Sequence, residues 1–223
     1  RTVHRRLFML LSMDLLNKGR WGMRKYVIFD FDGTLADSKH ISIQILEQLA
    51  DQYGFPKVGP DQIALLQKHA ESVEQFQMVA GQFYQKFREA LPHITLFKGI
   101  KETLYELHSN GFGLAVISSN EESNIRAYFQ NQGIDFIKEV YTSSNLMGKD
   151  VMIEEFCEKH ALQKEEVIYV GDEMRDLIAC QKTGVDMIWV RWGFGTDNQS
   201  ATYYADVPAD IVEYAKLEKG EEL

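Results

Sequence analysis

Two aspartates stand directly after an apolar run in the stretch YVIFDFDGTLADS at 26–38. Asp30 and Asp32 lie two positions apart, and Gly33 and Thr34 follow them. Two carboxylates at the end of a buried strand repel each other and lose hydration, so a cation or a proton must compensate their charge. A small set of hard oxygen ligands favours Mg²⁺, which keeps several of its waters. The alternative is an ordinary turn, in which Asp bonds its own backbone and Gly takes a positive φ.

Further polar side chains follow two other apolar runs. In an open parallel sheet, ligands bind beyond the carboxyl ends of the strands, so we expect these side chains to gather around a single cation at one edge. Glu173 and Arg175, which follow the apolar run ending at Val170, are interpreted as loop surface. The gathered residues are Ser118, Ser119 and Asn120 after the run ending at Ile117, Asp172 and Asp176 after the run ending at Val170, and Lys149 before a helical pattern.

This combination of residue types fits phosphoryl transfer. That reaction requires positioning of the transferred group and stabilisation of its charge, for which extra acids for a metal, a hydroxyl donor and a fixed cation are suited. A carboxylate can also attack phosphorus and form an acyl phosphate that water then cleaves.

The pattern from residue 97 onward alternates between helix and strand. Apolar strands are predicted at 26–29, 112–117, near Val140, at 167–170 and at 187–190, with amphipathic helices between them. This alternation predicts an α/β fold with a doubly wound parallel sheet covered by helices on both faces. The aromatic residues and glycines from Trp189 to Gly195 are interpreted as core and turn.

Residues 39–95 show helical spacing and no strand pattern, so they are predicted to form a small all-helical cap domain inserted after the first strand. The core domain then comprises residues 23–38 and 96–223 and is discontinuous in sequence. Residues 1–22 are interpreted as an amino-terminal extension. Their apolar run of about 10 residues is too short to cross a bilayer, and no cleavage site follows it.

Composition excludes some classes of partner. The formal charge of −9 argues against binding of a nucleic acid polymer, which needs a basic surface. No membrane association is expected. Cys157 and Cys180 form no metal-like spacing and are interpreted as reduced thiols of a cytoplasmic protein. The sequence leaves the oligomeric state, monomer or dimer, open.

These motifs together resemble the haloacid dehalogenase (HAD) superfamily, in particular its phosphoglycolate-phosphatase-like members with a helical cap. DFDGT at 30–34 is similar to the first motif of that family. The resemblance implies that Asp30 is the nucleophile. It also implies that Asp32 is the general acid and base and binds Mg²⁺ through its backbone carbonyl, while Gly33 and Thr34 contact the phosphate.

The other three motifs follow in the family's order. VISSN at 116–120 resembles the second motif, and the resemblance assigns phosphate contacts to Ser119, with Ser118 as the second choice, and to Asn120. Lys149 is similar to the lysine that neutralises the phosphate and the nucleophile. GDEMRD at 171–176 resembles the fourth motif, which makes Asp172 a metal ligand and Asp176 its acidic companion.

The function implied by the resemblance is a Mg²⁺-dependent phosphatase that hydrolyses a small-molecule phosphate monoester through an aspartyl-phosphate intermediate. One alternative is a phosphomutase of the β-phosphoglucomutase type, which returns the phosphoryl group to a sugar phosphate. A more remote alternative is a binding or regulatory protein that keeps the fold without turnover. Departures from the family pattern, such as Asp150 where many relatives have Pro after the lysine, leave the substrate open.

Overall fold

The computed structural model describes residues 24–56, 72–142, 148–195 and 200–217. The predicted extension at 1–22 and the predicted domain start at residue 23 lie outside these ranges. In chain order, the strands are β1 Tyr26–Phe29, β2 Ala36–Asp37, β3 Thr95–Leu96, β4 Gly113–Ser118, β5 Glu139–Thr142, β6 Val167–Gly171, β7 Asp186–Val190 and β8 Tyr203–Ala205. The helices are α1 Lys39–Tyr53, α2 Val73–Ala90, α3 Ile100–Ser109, α4 Glu122–Gln132, α5 Lys149–Lys159, α6 Met174–Thr183 and α7 Pro208–Lys216.

Six strands form one parallel sheet in the order β5-β4-β1-β6-β7-β8. The strand β1 lies in the middle, where Phe29 pairs with Val116 of β4 and with Val170 of β6. Because all the strands run the same way, the residues that follow β1, β4 and β6 emerge at one edge of the sheet.

Both faces of the sheet are covered by helices, and each face has its own apolar core. Val27 and Phe29 point into a core shared with α3, α4 and α7, whereas Ile28 points into a core shared with α5 and α6. This alternation follows from the two-residue period of a strand. The predicted doubly wound α/β fold is confirmed.

Of the inserted segment, the described residues form two long helices between β2 and β3, α1 and α2, which pack on each other. Leu46 and Leu49 of α1 and Phe83 and Phe87 of α2 are buried. Ser72 caps α2, because its hydroxyl accepts a hydrogen bond from the N–H of Gln75 at 3.1 Å. Such a cap satisfies one of the backbone donors that a helix leaves free at its start.

The helical insertion leaves and returns to the core through a short antiparallel ribbon, in which Ala36 pairs with Leu96 and Asp37 with Thr95. The prediction that residues 39–95 contain no strand is therefore wrong at Thr95. Two-residue strands carry no readable periodicity, and their pairing exists because both ends of the insertion meet at one place.

The carboxyl-terminal part holds two elements that the sequence pattern did not predict, β8 and α7. The strand β8 has three residues, too few for an alternation to be recognised. The helix α7 begins with Pro208. Proline is favoured at the first helical position, so the sequence does contain a start signal for this helix. Among the described helices, none is both long and apolar enough to cross a membrane.

Candidate active site

Asp30 is the first residue after β1, and it is almost completely buried, with 1% of its surface exposed. Its N–H donates to the carbonyl of Val170 at 2.9 Å, which continues the pairing with β6 and fixes the backbone. Its Oδ1 lies 2.9 Å from Nζ of Lys149. Its Oδ2 has no hydrogen-bond partner within the described ranges. Burial raises the pKa of Asp30 to about 6, against the opposing effect of Lys149.

Asp32 is held by two donors, one on each carboxylate oxygen. The Ser38 hydroxyl donates to Oδ1 at 2.6 Å, and the side-chain amide of Asn120 donates to Oδ2 at 2.9 Å. Burial raises the pKa of Asp32, and these two hydrogen bonds oppose the rise. The carboxylate is therefore fixed in orientation. Ser38 was missed in the sequence, although it ends the stretch in which Asp30 and Asp32 lie.

Gly33 and Thr34 form the turn between Asp32 and β2. Gly33 has φ 81°, and its N–H donates to the carbonyl of Ala36 at 3.0 Å. The Thr34 hydroxyl donates to Oδ1 of Asp172 at 2.8 Å. The predicted phosphate contacts at 33 and 34 thus lie in the site, where the Thr34 hydroxyl holds a carboxylate.

Asp172 follows β6 and is fully buried. Its Oδ2 accepts a hydrogen bond from the N–H of Phe194 at 2.6 Å. A Cβ added at Gly193 would lie 2.2 Å from the Cβ of Asp172, so this loop closes directly on the carboxylate. The interpretation of 189–195 as core and turn misses this contact, because the sequence does not show where a loop after β7 folds back.

Lys149 and Asp176 form a buried ion pair between α5 and α6. Nζ of Lys149 lies 2.5 Å from Oδ1 of Asp176, and the hydroxyl of Tyr169 lies 3.2 Å from the same oxygen. Burial alone would lower the pKa of Lys149, but Asp176 and Asp30 together raise it above its usual value. The ammonium group is therefore charged and fixed against Asp30.

The loop after β4 brings the predicted hydroxyl and amide residues to the same edge. Ser118 is buried, and its Oγ accepts a hydrogen bond from the N–H of Asn120 at 3.1 Å. Ser119 is half-buried, and its carbonyl accepts a hydrogen bond from the Tyr84 hydroxyl at 2.7 Å. The side chain of Asn120 is engaged with Asp32, so it supports a carboxylate in this structure.

Glu173 differs from its interpretation as loop surface, whereas the side chain of Arg175, in α6, is exposed as expected. Glu173 is 8% exposed and forms an ion pair with Arg175. Burial raises the pKa of Glu173 to about 7, although Arg175 opposes the rise. The sequence contains a signal for this role, because Glu173 and Asp176 have the spacing of a helix N-cap and the third residue of the helix. In the structure, the N–H of Glu173 donates to Oδ2 of Asp176 at 3.1 Å.

Three buried carboxylates could hold a metal ion. Oxygens of Asp30, Asp172 and Asp176 lie within 4.8 Å of one another, and Lys149 supplies one positive charge among them. Burial and the charges of Asp30 and Asp176 raise the pKa of Asp172 well above its ordinary value. The free Oδ2 of Asp30 and this excess of negative charge both fit a divalent cation.

The comparisons with known proteins agree with this fold. The model of the haloacid dehalogenase-like hydrolase family matches residues 27–190. A phosphoglycolate phosphatase of Synechococcus elongatus is 28% identical over 202 residues, which cover 84% of this chain and 95% of that protein.

Two solved structures show the same fold. A haloacid dehalogenase-like hydrolase of Streptococcus pneumoniae has a TM-score of 0.71 at 24% identity, covering 86% of this chain and 98% of that one. A structure described as a predicted phosphatase of Clostridium acetobutylicum has a TM-score of 0.76 at 21% identity, covering 86% of this chain and 97% of that one. With the family match spanning most of the chain, this protein belongs to the haloacid dehalogenase-like hydrolases, and it is similar to phosphoglycolate phosphatases among them.

Proposed function

We propose that this hydrolase is a Mg²⁺-dependent phosphatase that cleaves a small-molecule phosphate monoester through an aspartyl-phosphate intermediate. The observation that carries the proposal is the meeting of Asp30, Asp172, Asp176 and Lys149 at the carboxyl ends of parallel strands. A buried nucleophile, acids for a metal and a fixed cation are the parts that phosphoryl transfer requires.

The residues that would hold Mg²⁺ are Asp30 and Asp172 through their carboxylates and Asp32 through its backbone carbonyl. Asp176 supports them by holding Lys149. When bound, the cation supplies positive charge to the phosphoryl oxygens and to the carboxylates that surround them.

In the first step, a carboxylate oxygen of Asp30 attacks phosphorus, and the bond from phosphorus to the ester oxygen breaks. Asp32 gives its proton to the departing alkoxide. In the second step, Asp32 takes a proton from water, which attacks the aspartyl phosphate and releases phosphate and the Asp30 carboxylate. With a pKa near 6, Asp30 is mostly ionised at pH 7, as a nucleophile must be.

The remaining residues orient the transferred group. Lys149 balances the charge of Asp30, from which it lies 2.9 Å away. We propose that Ser119, with Ser118 as the alternative, contacts a phosphoryl oxygen together with Gly33, Thr34 and Asn120. Residues 39–95 would form the cap that limits the access of water, because an enclosed site strengthens these electrostatic interactions. A cytoplasmic location remains a prediction.

The substrate class is proposed from the relatives. The phosphoglycolate phosphatase of Synechococcus elongatus is named for a small phosphorylated acid, so we propose esters of this size as substrates. A phosphate-release screen with phosphoglycolate, sugar phosphates, nucleotides and pyrophosphate, with and without Mg²⁺, would identify the class.

Replacement of Asp30 by Asn tests the mechanism. Because the amide cannot form the acyl phosphate, we expect turnover to fall by about three orders of magnitude or more. The matched control is Asp37→Asn at an exposed aspartate, which should retain activity. Full Mg²⁺-dependent activity of the Asp30→Asn protein would refute the proposal. Transfer of the phosphoryl group to an added sugar phosphate, without release of phosphate, would favour the phosphomutase.

A further inference from the structure

The last turns of α2 contact the loop after β4 through side-chain hydrogen bonds. The Tyr84 hydroxyl donates to the carbonyl of Ser119 at 2.7 Å. Nε of Arg88 donates to Oδ1 of Asn124 at 2.8 Å, and the same guanidinium contacts Ser123 and Glu121. Asn124 is fully buried at the start of α4, where a polar side chain is retained only at the cost of satisfying its donors and acceptors.

These hydrogen bonds have a fixed direction. An arginine Nε only donates, so Oδ1 of Asn124 must face Arg88 and its Nδ2 must face the loop. Nδ2 of Asn124 lies 3.3 Å from Oδ1 of Asn120 in the loop, and 3.2 Å from the carbonyl of Tyr84 in α2. Oδ1 of Asn120 also accepts from the N–H of Glu121 at 2.8 Å. The amide nitrogen of Asn120 is thereby turned toward Oδ2 of Asp32, 2.9 Å away.

We infer that Asn124 and Arg88 are positioning residues for Asp32, acting through Asn120, and that they couple the helix α2 to proton transfer in the reaction. The inference rests on the proposed role of Asp32 as general acid. The chain of contacts runs from an obligatory donor, Arg88, through Asn124 and Asn120 to an accepting oxygen, Oδ2 of Asp32. Reversing one amide would place an oxygen against the carboxylate, so removing Asn124 loosens the orientation of Asn120 and of Asp32.

The chemistry of the leaving group separates this role from general support of the fold. An aliphatic alkoxide is a strong base and needs a proton as it departs, whereas p-nitrophenolate is a weak base and leaves without one. The ratio kcat/KM reports the steps up to the departure of the alcohol. A misplaced Asp32 therefore lowers kcat/KM for an aliphatic ester and spares p-nitrophenyl phosphate.

The experiment compares Asn124→Leu and Arg88→Leu with wild type on p-nitrophenyl phosphate and on the aliphatic monoester that wild type turns over fastest. We expect kcat/KM to fall about 10- to 100-fold for the aliphatic ester with Asn124→Leu, less with Arg88→Leu, and by less than about 3-fold for the aryl ester. Arg126→Leu is the matched control, because Arg126 lies on the same helix as Asn124, α4, and pairs with Glu122 outside this network.

A double-mutant cycle completes the test. In an Asp32→Asn background there is no general acid to position, so Asn124→Leu should have no further effect on the aliphatic ester. An equal fall for both esters, or an undiminished effect in that background, would overturn the inference. Should Asn124→Leu fail to fold, as judged by circular dichroism, the half-exposed Arg88 provides the same comparison. Activity that survives Asp30→Asn would instead defeat the proposed function itself.

Discussion

At the scale of single residues, the site combines a nucleophile with surroundings that oppose its charge. Asp30 is buried and has one close cation, Lys149 at 2.9 Å, which Asp176 shares at 2.5 Å. Burial wins over this single ion pair and raises the pKa of Asp30 to about 6. The metal-free site therefore costs the protein stability at neutral pH, and a bound cation would offset that cost.

This cost gives a pH dependence with a definite sign. Because the pKa of Asp30 rises from 3.8 unfolded to about 6 folded, the folded state binds more protons in that window, and stability falls as pH rises through it. Relative to that of Asp30→Asn, the free energy of unfolding of wild type should fall by up to about 3 kcal/mol between pH 4 and pH 7. Urea unfolding of both proteins in a metal chelator would measure the difference. A difference that stays constant with pH would contradict the prediction.

Residue types alone could predict which acids and which lysine meet, because Asp30, Asp172 and Lys149 stand at recognisable positions relative to apolar strands. They could not predict the partners that orient these groups. Ser38 reaches Asp32 and Phe194 reaches Asp172 only because loops fold back by particular angles. Such contacts depend on backbone geometry that no local pattern records.

At the scale of elements, the turn from Phe31 to Ala36 brings the first motif against Asp172. The N–H groups of Leu35 and Ala36 both donate to the carbonyl of Phe31, at 3.0 and 2.9 Å. Gly33, with φ 81°, lies where an added Cβ would be 2.4 Å from Oδ2 of Asp172. A glycine is thus required here for two reasons, the left-handed backbone and the close approach of a carboxylate.

We expect Gly33→Ala to lower the free energy of unfolding by about 2 kcal/mol, since the left-handed conformation alone costs an alanine about 1–2 kcal/mol. The added Cβ should also displace Asp172 and lower activity roughly 100-fold. Thermal unfolding and initial rates would measure the two effects. Gly111→Ala is the matched control, because Gly111 has φ 88° and open space around its Cβ position. If both variants keep wild-type activity, the close approach of Asp172 to this turn is unimportant.

The longer elements were predictable because their periodicity is readable over many residues. The buried face of α2, with Phe83 and Phe87, and the apolar run of β6 are examples. The strands β2, β3 and β8 were missed, since two or three residues show no alternation and form only when their partners are already in place.

At the scale of the whole molecule, the sheet explains why residues from distant parts of the chain meet. Phe29 of β1 pairs with Val116 and Val170, so Asp30, the loop after β4 and Asp172 emerge side by side. The rule that parallel strands carry ligand sites at their carboxyl ends made this arrangement predictable. The detailed course of the inserted segment was not, because helical spacing predicts a buried face without its orientation.

Metal binding should therefore stabilise the whole fold. A cation that binds the folded state alone stabilises it by about 2.7 kcal/mol at 100 times its Kd, which corresponds to a Tm rise of roughly 5–10 °C for a chain of this size. We expect MgCl₂ at about 10 mM to raise the Tm of wild type above its value in chelator. Sodium chloride at equal ionic strength should not.

The variant Asp172→Asn separates specific binding from general screening of an acidic protein. Its metal-free Tm should exceed that of wild type, because burial and two neighbouring carboxylates disfavour the charge of Asp172, and its response to Mg²⁺ should be lost. Asp135→Asn, at an exposed aspartate, removes the same charge and should respond like wild type. Equal Mg²⁺ responses in both variants would mean that the cation binds elsewhere, and the cluster of Asp30, Asp172 and Asp176 would then need another source of compensating charge.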